Sequence, residues 1–143
     1  MSLPRSSTTP EITSPQSIRQ FAEAYTAAWC SHEPDKVAAF FEEGGSLAVN
    51  DDPPAIGREA IANVARGFMT DFPNLQVYFD EMVLKDGGAT YHWTLTGTNS
   101  GPGGTGRRVR INGYEVWQLG VNGLIGSSQG HFDSAEYRRQ LGL

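Results

Sequence analysis

The sequence predicts an α+β fold: one cone-shaped domain over residues 14–143, with N-terminal helices packed on a strongly bent antiparallel or mixed β-sheet around an internal pocket. Three observations predict it. Residues 15–70 carry three stretches of helical periodicity, residues 75–132 switch to a period of two, and the segments of the second half are joined by Gly-rich turns. Helices first and a meander afterwards is the α+β order.

Residues 1–13 are rich in Ser, Thr and Pro without periodicity, which predicts a disordered tail. Ser14 offers an N-cap and Pro15 a first helical position. A helix over 15–31 follows, its apolar stripe made of Phe21, Ala24, Tyr25, Ala28 and Trp29. A second helix opens at Pro34, buries Val37, Phe40 and Phe41, and stops at Gly44. Leu47 and Val49 mark a short strand that ends at Asn50 and the Asp-Asp-Pro-Pro turn. A third helix over 57–70 buries Ile61, Val64, Ala65 and Phe68, and Pro73 closes it.

Strands are expected over 75–85, 89–99, 107–119 and 124–132, with a short helix over 134–141. In the second of these strands Tyr91, Trp93 and Leu95 share one face, and His92, Thr94 and Thr96 the other. Asn122-Gly123 is a two-residue hairpin signal.

A net charge of −5 argues against a nucleic-acid partner, and Arg107, Arg108 and Arg110 read as a solvated strand end. No apolar run is long enough for a membrane span, and the N-terminus has no signal-peptide core. A single cysteine, Cys30, rules out an internal disulfide, so a cytoplasmic location is expected. His32, read as a helix cap, His92 and His131 lie far apart in the chain, and no metal site is expected.

Several segments, in order, resemble one family. They are Ala28-Trp29 with His32 and Asp35, Gly57-Arg58-Glu59-Ala60-Ile61, Phe72-Pro73-Asn74-Leu75, and Trp93-Thr94-Leu95-Thr96-Gly97-Thr98. Thr105-Gly106-Arg107-Arg108-Val109, Asn122-Gly123-Leu124-Ile125 and Gln140-Leu141-Gly142 complete the set. Together they resemble the SnoaL-like polyketide cyclases, within the larger group of nuclear transport factor 2 (NTF2), ketosteroid isomerases and limonene-epoxide hydrolases. Two places depart from the pattern: the loop from Gly101 to Thr105 is short, and Ser128, Gln129 and Gly130 stand where the family carries His-Trp-Asp.

The resemblance implies an NTF2-like homodimer that closes a ring by intramolecular aldol condensation on a small hydrophobic carbonyl compound. It implies no metal or organic cofactor. It makes Asp133 the catalytic base, whereas residue type and position alone read Asp133 as the cap of the last helix. A carboxylate suits the chemistry because an apolar cavity raises its pKa and makes it a competent base.

Strand alternation then places Gln129, His131 and Asp133 on one face, toward the cavity, with His131 able to donate to an oxyanion or to tune Asp133. Glu115 shares a face with Trp117 and Leu119, so it is a second catalytic candidate or the partner of an arginine, with Gly113 able to shift the register by a bulge. Tyr25, Trp29, Phe68, Trp93 and Trp117 are expected to line an aromatic cavity for a planar polycyclic or terpenoid ligand, with Asn50 and Gln129 as polar contacts. The dimer is expected through the outer face of His92, Thr94, Tyr114 and Val116. An alternative function is a small-molecule-binding module without chemistry, and a third is epoxide hydrolysis by Asp133, Arg110 and Glu115.

Overall fold

The computed structural model describes residues 15–143; the tail expected over 1–13 and the Ser14 cap lie outside the described residues. Ten elements follow in order: α1 (Pro15–Cys30), α2 (Pro34–Ala38), β1 (Phe41–Val49), β2 (Ala55–Ile56), α3 (Arg58–Asp71), β3 (Gln76–Lys85), β4 (Gly88–Thr98), β5 (Arg108–Leu119), β6 (Ile125–Phe132) and α4 (Ser134–Leu141). The strands form one open sheet in the order β2-β1-β6-β5-β4-β3. The meander β3 to β6 is antiparallel, while β1 runs parallel to β6, so the sheet is mixed. No described helix is long and apolar enough to cross a membrane.

Helix α1 buries Ile18, Ala22, Tyr25, Ala28 and Trp29 against the sheet. This stripe is rotated from the expected one, since Ala24 is exposed and Thr26 is buried. The second helix ends early. Phe41 is not its last buried residue but the first of β1, where it pairs across from Ile125 in β6. A helix with its one face spent on Val37 and Ala38 gains little by continuing, and the parallel ladder takes over. The two-residue β2, which the sequence did not signal, pairs with Ser46 and Leu47.

Rings form the centre of the core. Phe79, Tyr91 and Trp117 stack across β3, β4 and β5, with centroids 5.8 and 4.9 Å apart. Tyr25 of α1 meets Tyr91 and Trp117 edge-on at 5.4 and 5.3 Å. Such pairs add roughly 0.5–1.5 kcal/mol each beyond the area they bury.

Gly113 does not bulge. The β4–β5 pairing runs unbroken through Trp93↔Gly113. The register shift lies elsewhere, between Gln118 and Leu119, where Gln118 faces Ser127 but Leu119 faces Ile125. Gly126 is therefore an extra residue on β6. That single insertion turns every later side chain of β6 to the opposite face from the one a plain alternation assigns.

The C-terminal Gln-Leu-Gly segment closes one end of the sheet. Beyond Gly113 the β5 edge has no strand beside it on the β6 side among the described residues, and Gln140 supplies ladder bonds there. Its Oε1 accepts from Arg110 N at 2.7 Å and its Nε2 donates to Arg110 O at 3.0 Å. Leu141 is buried, and Gly142 ends α4 in the left-handed region at φ 81°, where glycine is the least strained residue.

Candidate active site

Between α1, α3, α4 and the inner face of the sheet lies a cavity of about 60 Å³. Its deep wall is made by Trp29, Tyr91 and Glu115, all buried, and its mouth by Val64, Phe68, Trp93, Phe132 and Tyr137, all half-buried. The space is narrow, so a planar polycyclic ligand would require the rings at the mouth to move.

Glu115 is the charge-bearing side chain of this cavity and is 7% exposed. The alternation of Val109, Ile111, Glu115 and Trp117 on β5 turns it inward. Three neutral donors surround it. Ser128 Oγ donates to Oε1 at 2.8 Å, Trp117 Nε1 at 2.9 Å, and Tyr25 Oη lies 3.1 Å from Oε1 and 3.2 Å from Oε2. Among the described residues no arginine pairs with it, against one of the two expectations for this residue. Burial raises its pKa, and the bonds from Trp117, Ser128 and Tyr25 oppose the rise without cancelling it. Oε1 takes all three donors, so Oε2 keeps bonding capacity for a ligand.

The supporting hydroxyls stay protonated. Burial, then the nearby Glu115 charge, pushes the Tyr25 hydroxyl well up, and the neighbouring Trp29 indole opposes part of that rise. Tyr91, also raised by burial, bonds with Thr26 Oγ1 of α1. Tyr137 at the mouth is raised by burial and by Asp71. The cavity thus has a carboxyl at its base, neutral hydroxyls around it and apolar rings in front.

The expected orientation of Gln129, His131 and Asp133 is corrected. Because of the extra residue at Gly126, Ser128, Gly130 and Phe132 face the cavity, and the other three face away from it. Gln129 Nε2 donates to the carbonyls of Asn50 and Gly130. His131 stacks on Tyr114 of the outer face at 4.8 Å. Asp133 is exposed and caps α4, its Oδ1 accepting from Glu136 N at 3.1 Å. Asn50 is also outside the cavity: it ends β1 at φ 51° and its Oδ1 accepts from Phe132 N.

The other expected residues divide into two groups. Trp29, Phe68 and Trp93 line the cavity, whereas Tyr25 and Trp117 stand behind Glu115 and hold it. Asp133, Arg110 and Glu115 do not converge, since the first two are exposed and the third is buried. Ser128, Phe132 and Tyr137 are site residues that the sequence reading missed. Ser128 carried one signal, its place in the segment that departs from the family pattern. Among the described residues, no three His, Cys, Asp or Glu side chains gather as a metal site.

A model of the SnoaL-like polyketide cyclases matches residues 19–141. Solved structures share the fold at low identity. TsrD from Streptomyces laurentii is 20% identical with a TM-score of 0.78, covering 90% of this chain and 97% of its own. A hypothetical protein with a ketosteroid isomerase-like fold from Catenulispora acidiphila, solved with trimethylamine, is 18% identical with a TM-score of 0.76, covering 87% of this chain and 93% of that one. SalBIII, an epoxide hydrolase/cyclase-like enzyme of pyran ring formation in the polyether salinomycin, is 16% identical with a TM-score of 0.75, covering 87% and 96%. No protein of curated function matches the chain in sequence.

Proposed function

The chain belongs to the SnoaL-like polyketide cyclase family, and on that premise we propose that it is an acid–base catalyst for a small apolar carbonyl compound, with Glu115 as the group that moves the proton. The observation that supports this most is the carboxyl itself: buried in an apolar cavity, raised in pKa and bonded only by neutral donors. A carboxyl raised in this way takes a proton from a carbon acid, and returns it, more readily than an exposed one.

In a reaction of the intramolecular aldol type, Glu115 removes a proton α to a carbonyl. The enolate carbon then attacks a second carbonyl of the same molecule. One C–H bond breaks, one C–C bond forms, and the proton passes from Glu115 to the new alkoxide. Tyr25, Trp117 and Ser128 keep the carboxyl in one orientation through the cycle. Positioned proton transfer of this kind is worth roughly 10²–10⁴-fold in rate. Asp133, as the exposed cap of α4, has a structural part in this reading.

The second reading, a module that binds without chemistry, is favoured by one feature: three donors converge on Oε1, as they would around a carboxyl kept for structure. Cyclohexanone in deuterated buffer separates the two. The wild type is expected to exchange its α-protons for deuterium, followed by NMR, and Glu115→Gln to lose that exchange while Asp133→Asn keeps it. Equal exchange by wild type and Glu115→Gln would remove Glu115 from the role. Saturable binding by both with no exchange by either leaves the binding module.

A further inference from the structure

Trp93 carries a buried donor with no acceptor. Its Nε1–H is shielded from solvent, and no hydrogen-bond partner reaches it among the described residues. Buried polar groups in folded proteins are almost always paired, so an orphan in the wall of a cavity points to a partner that the cavity receives. The Trp117 indole shows the usual rule: its Nε1 donates to Glu115, which commits it to the network around the carboxyl.

The chain builds a specific seat for the Trp93 ring. Trp93 on β4 pairs with Gly113 on β5, and Gly113 pairs in turn with Phe132 on β6. A Cβ at position 113 would stand 2.6 Å from Cζ2 and 2.9 Å from Cη2 of the indole, so only glycine lets the ring lie across that strand. Phe132 meets it edge-on at 6.1 Å. The ring is thereby held half-buried in the wall of the cavity that also contains the buried Glu115.

We propose that Trp93 is the specificity-determining donor of this cavity, its Nε1–H taking an acceptor oxygen of an uncharged ligand. Phe132, half-buried at the mouth, gives way to admit it. The ligand class follows from the walls. Among the described residues no arginine, lysine or histidine lines the cavity, so a carboxylate or phosphate would be buried beside Glu115 without a counter-charge from them. A carbonyl or ether oxygen needs only one donor, and Trp93 provides it. This inference rests on the cavity being the working site and specifies which molecules enter it.

The test uses the full-length, nitrogen-15-labelled protein and two probes of similar size, cyclohexanone and methylenecyclohexane, of which only the first has an acceptor. The Trp93 indole N–H resonance is expected to move downfield and to saturate with cyclohexanone, and not with methylenecyclohexane. Trp93→Phe is expected to weaken cyclohexanone roughly three- to tenfold, the worth of one neutral hydrogen bond, and to leave methylenecyclohexane unchanged. If that variant does not fold, the wild-type spectrum carries the test, with the indole assigned by its contacts to Gly113. Equal responses to the two probes, or no saturable response to cyclohexanone, would overturn the proposal. A Trp93 response without α-proton exchange fails the catalytic reading alone, and exchange without a Trp93 response fails this one alone.

Discussion

The hydroxyl of Tyr25 on α1 bonds both carboxylate oxygens of Glu115 on β5, at 3.1 and 3.2 Å, across 90 residues of sequence. This contact ties the first helix to the middle of the sheet. It also couples the stability of the fold to the protonation of the candidate catalytic group.

Replacing Tyr25 by Phe keeps the ring and removes the donor. The loss is expected to cost about 1 kcal/mol in urea unfolding. Because the Tyr25 bond lowers the Glu115 pKa, its removal raises that pKa further, read from the side-chain carboxyl carbon by NMR titration. A fall in that pKa would contradict the assigned network.

Glu115 also governs a pH dependence of stability. Its folded pKa lies above the ordinary 4.5, so between the two values the folded state holds a proton that the unfolded state releases. The contribution of this group is full below about 4.5, falls as pH rises through that window, and is level above the folded value. Glu115→Gln can still accept from Trp117, Ser128 and Tyr25 and has no proton to lose. The difference in unfolding free energy between wild type and variant should therefore drift in favour of the variant as pH rises. Parallel curves would show that Glu115 is not raised.

Asp133→Ala removes the cap of α4 and is expected to cost about 1 kcal/mol, with Asp133→Asn much closer to wild type because Asn caps as well. Ligand binding in the cavity should be unchanged in both, as isothermal titration with cyclohexanone would report. A large loss of binding in the Asn variant would return Asp133 to the site.

Gly113→Ala places a methyl group 2.3 Å from the His131 carbonyl oxygen and 2.6 Å from the Trp93 ring. Overpacking of this kind costs roughly 1–3 kcal/mol. The displaced indole should shift the tryptophan emission of the folded protein. An unperturbed, equally stable variant would mean that Trp93 is not seated on this glycine.

Much of the fold was legible because its signals are local and redundant. The amphipathic stripes of α1 and α3, the long β3 to β5 meander and the Asp133 cap each repeat one pattern over several residues. Glu115 was legible on the core face from Trp117 and Leu119 alone, and the unbroken pairing through Gly113 keeps it there. Phe41 reads as helix and folds as the first residue of β1, because an apolar residue beside Phe40 fits a helix face and a buried strand equally well.

The sequence by itself determined that helices cover one face of a bent sheet and that rings fill the space between them, and it offered Glu115 of β5 as a core-face carboxyl. The parallel pairing of β1 with β6 and the unbroken register at Gly113 came from the tertiary structure. Only the tertiary structure decided which side of β6 joins that carboxyl. Ile-Gly-Ser-Ser-Gln-Gly-His-Phe has almost no apolar alternation to fix its phase, so pairing with β5 and β1 fixes it instead. One extra residue at Gly126 reverses the strand, since a strand's side chains repeat every two residues and a shift of one exchanges its faces. That exchange brings Ser128 to Glu115 and leaves His131 and Asp133 outside.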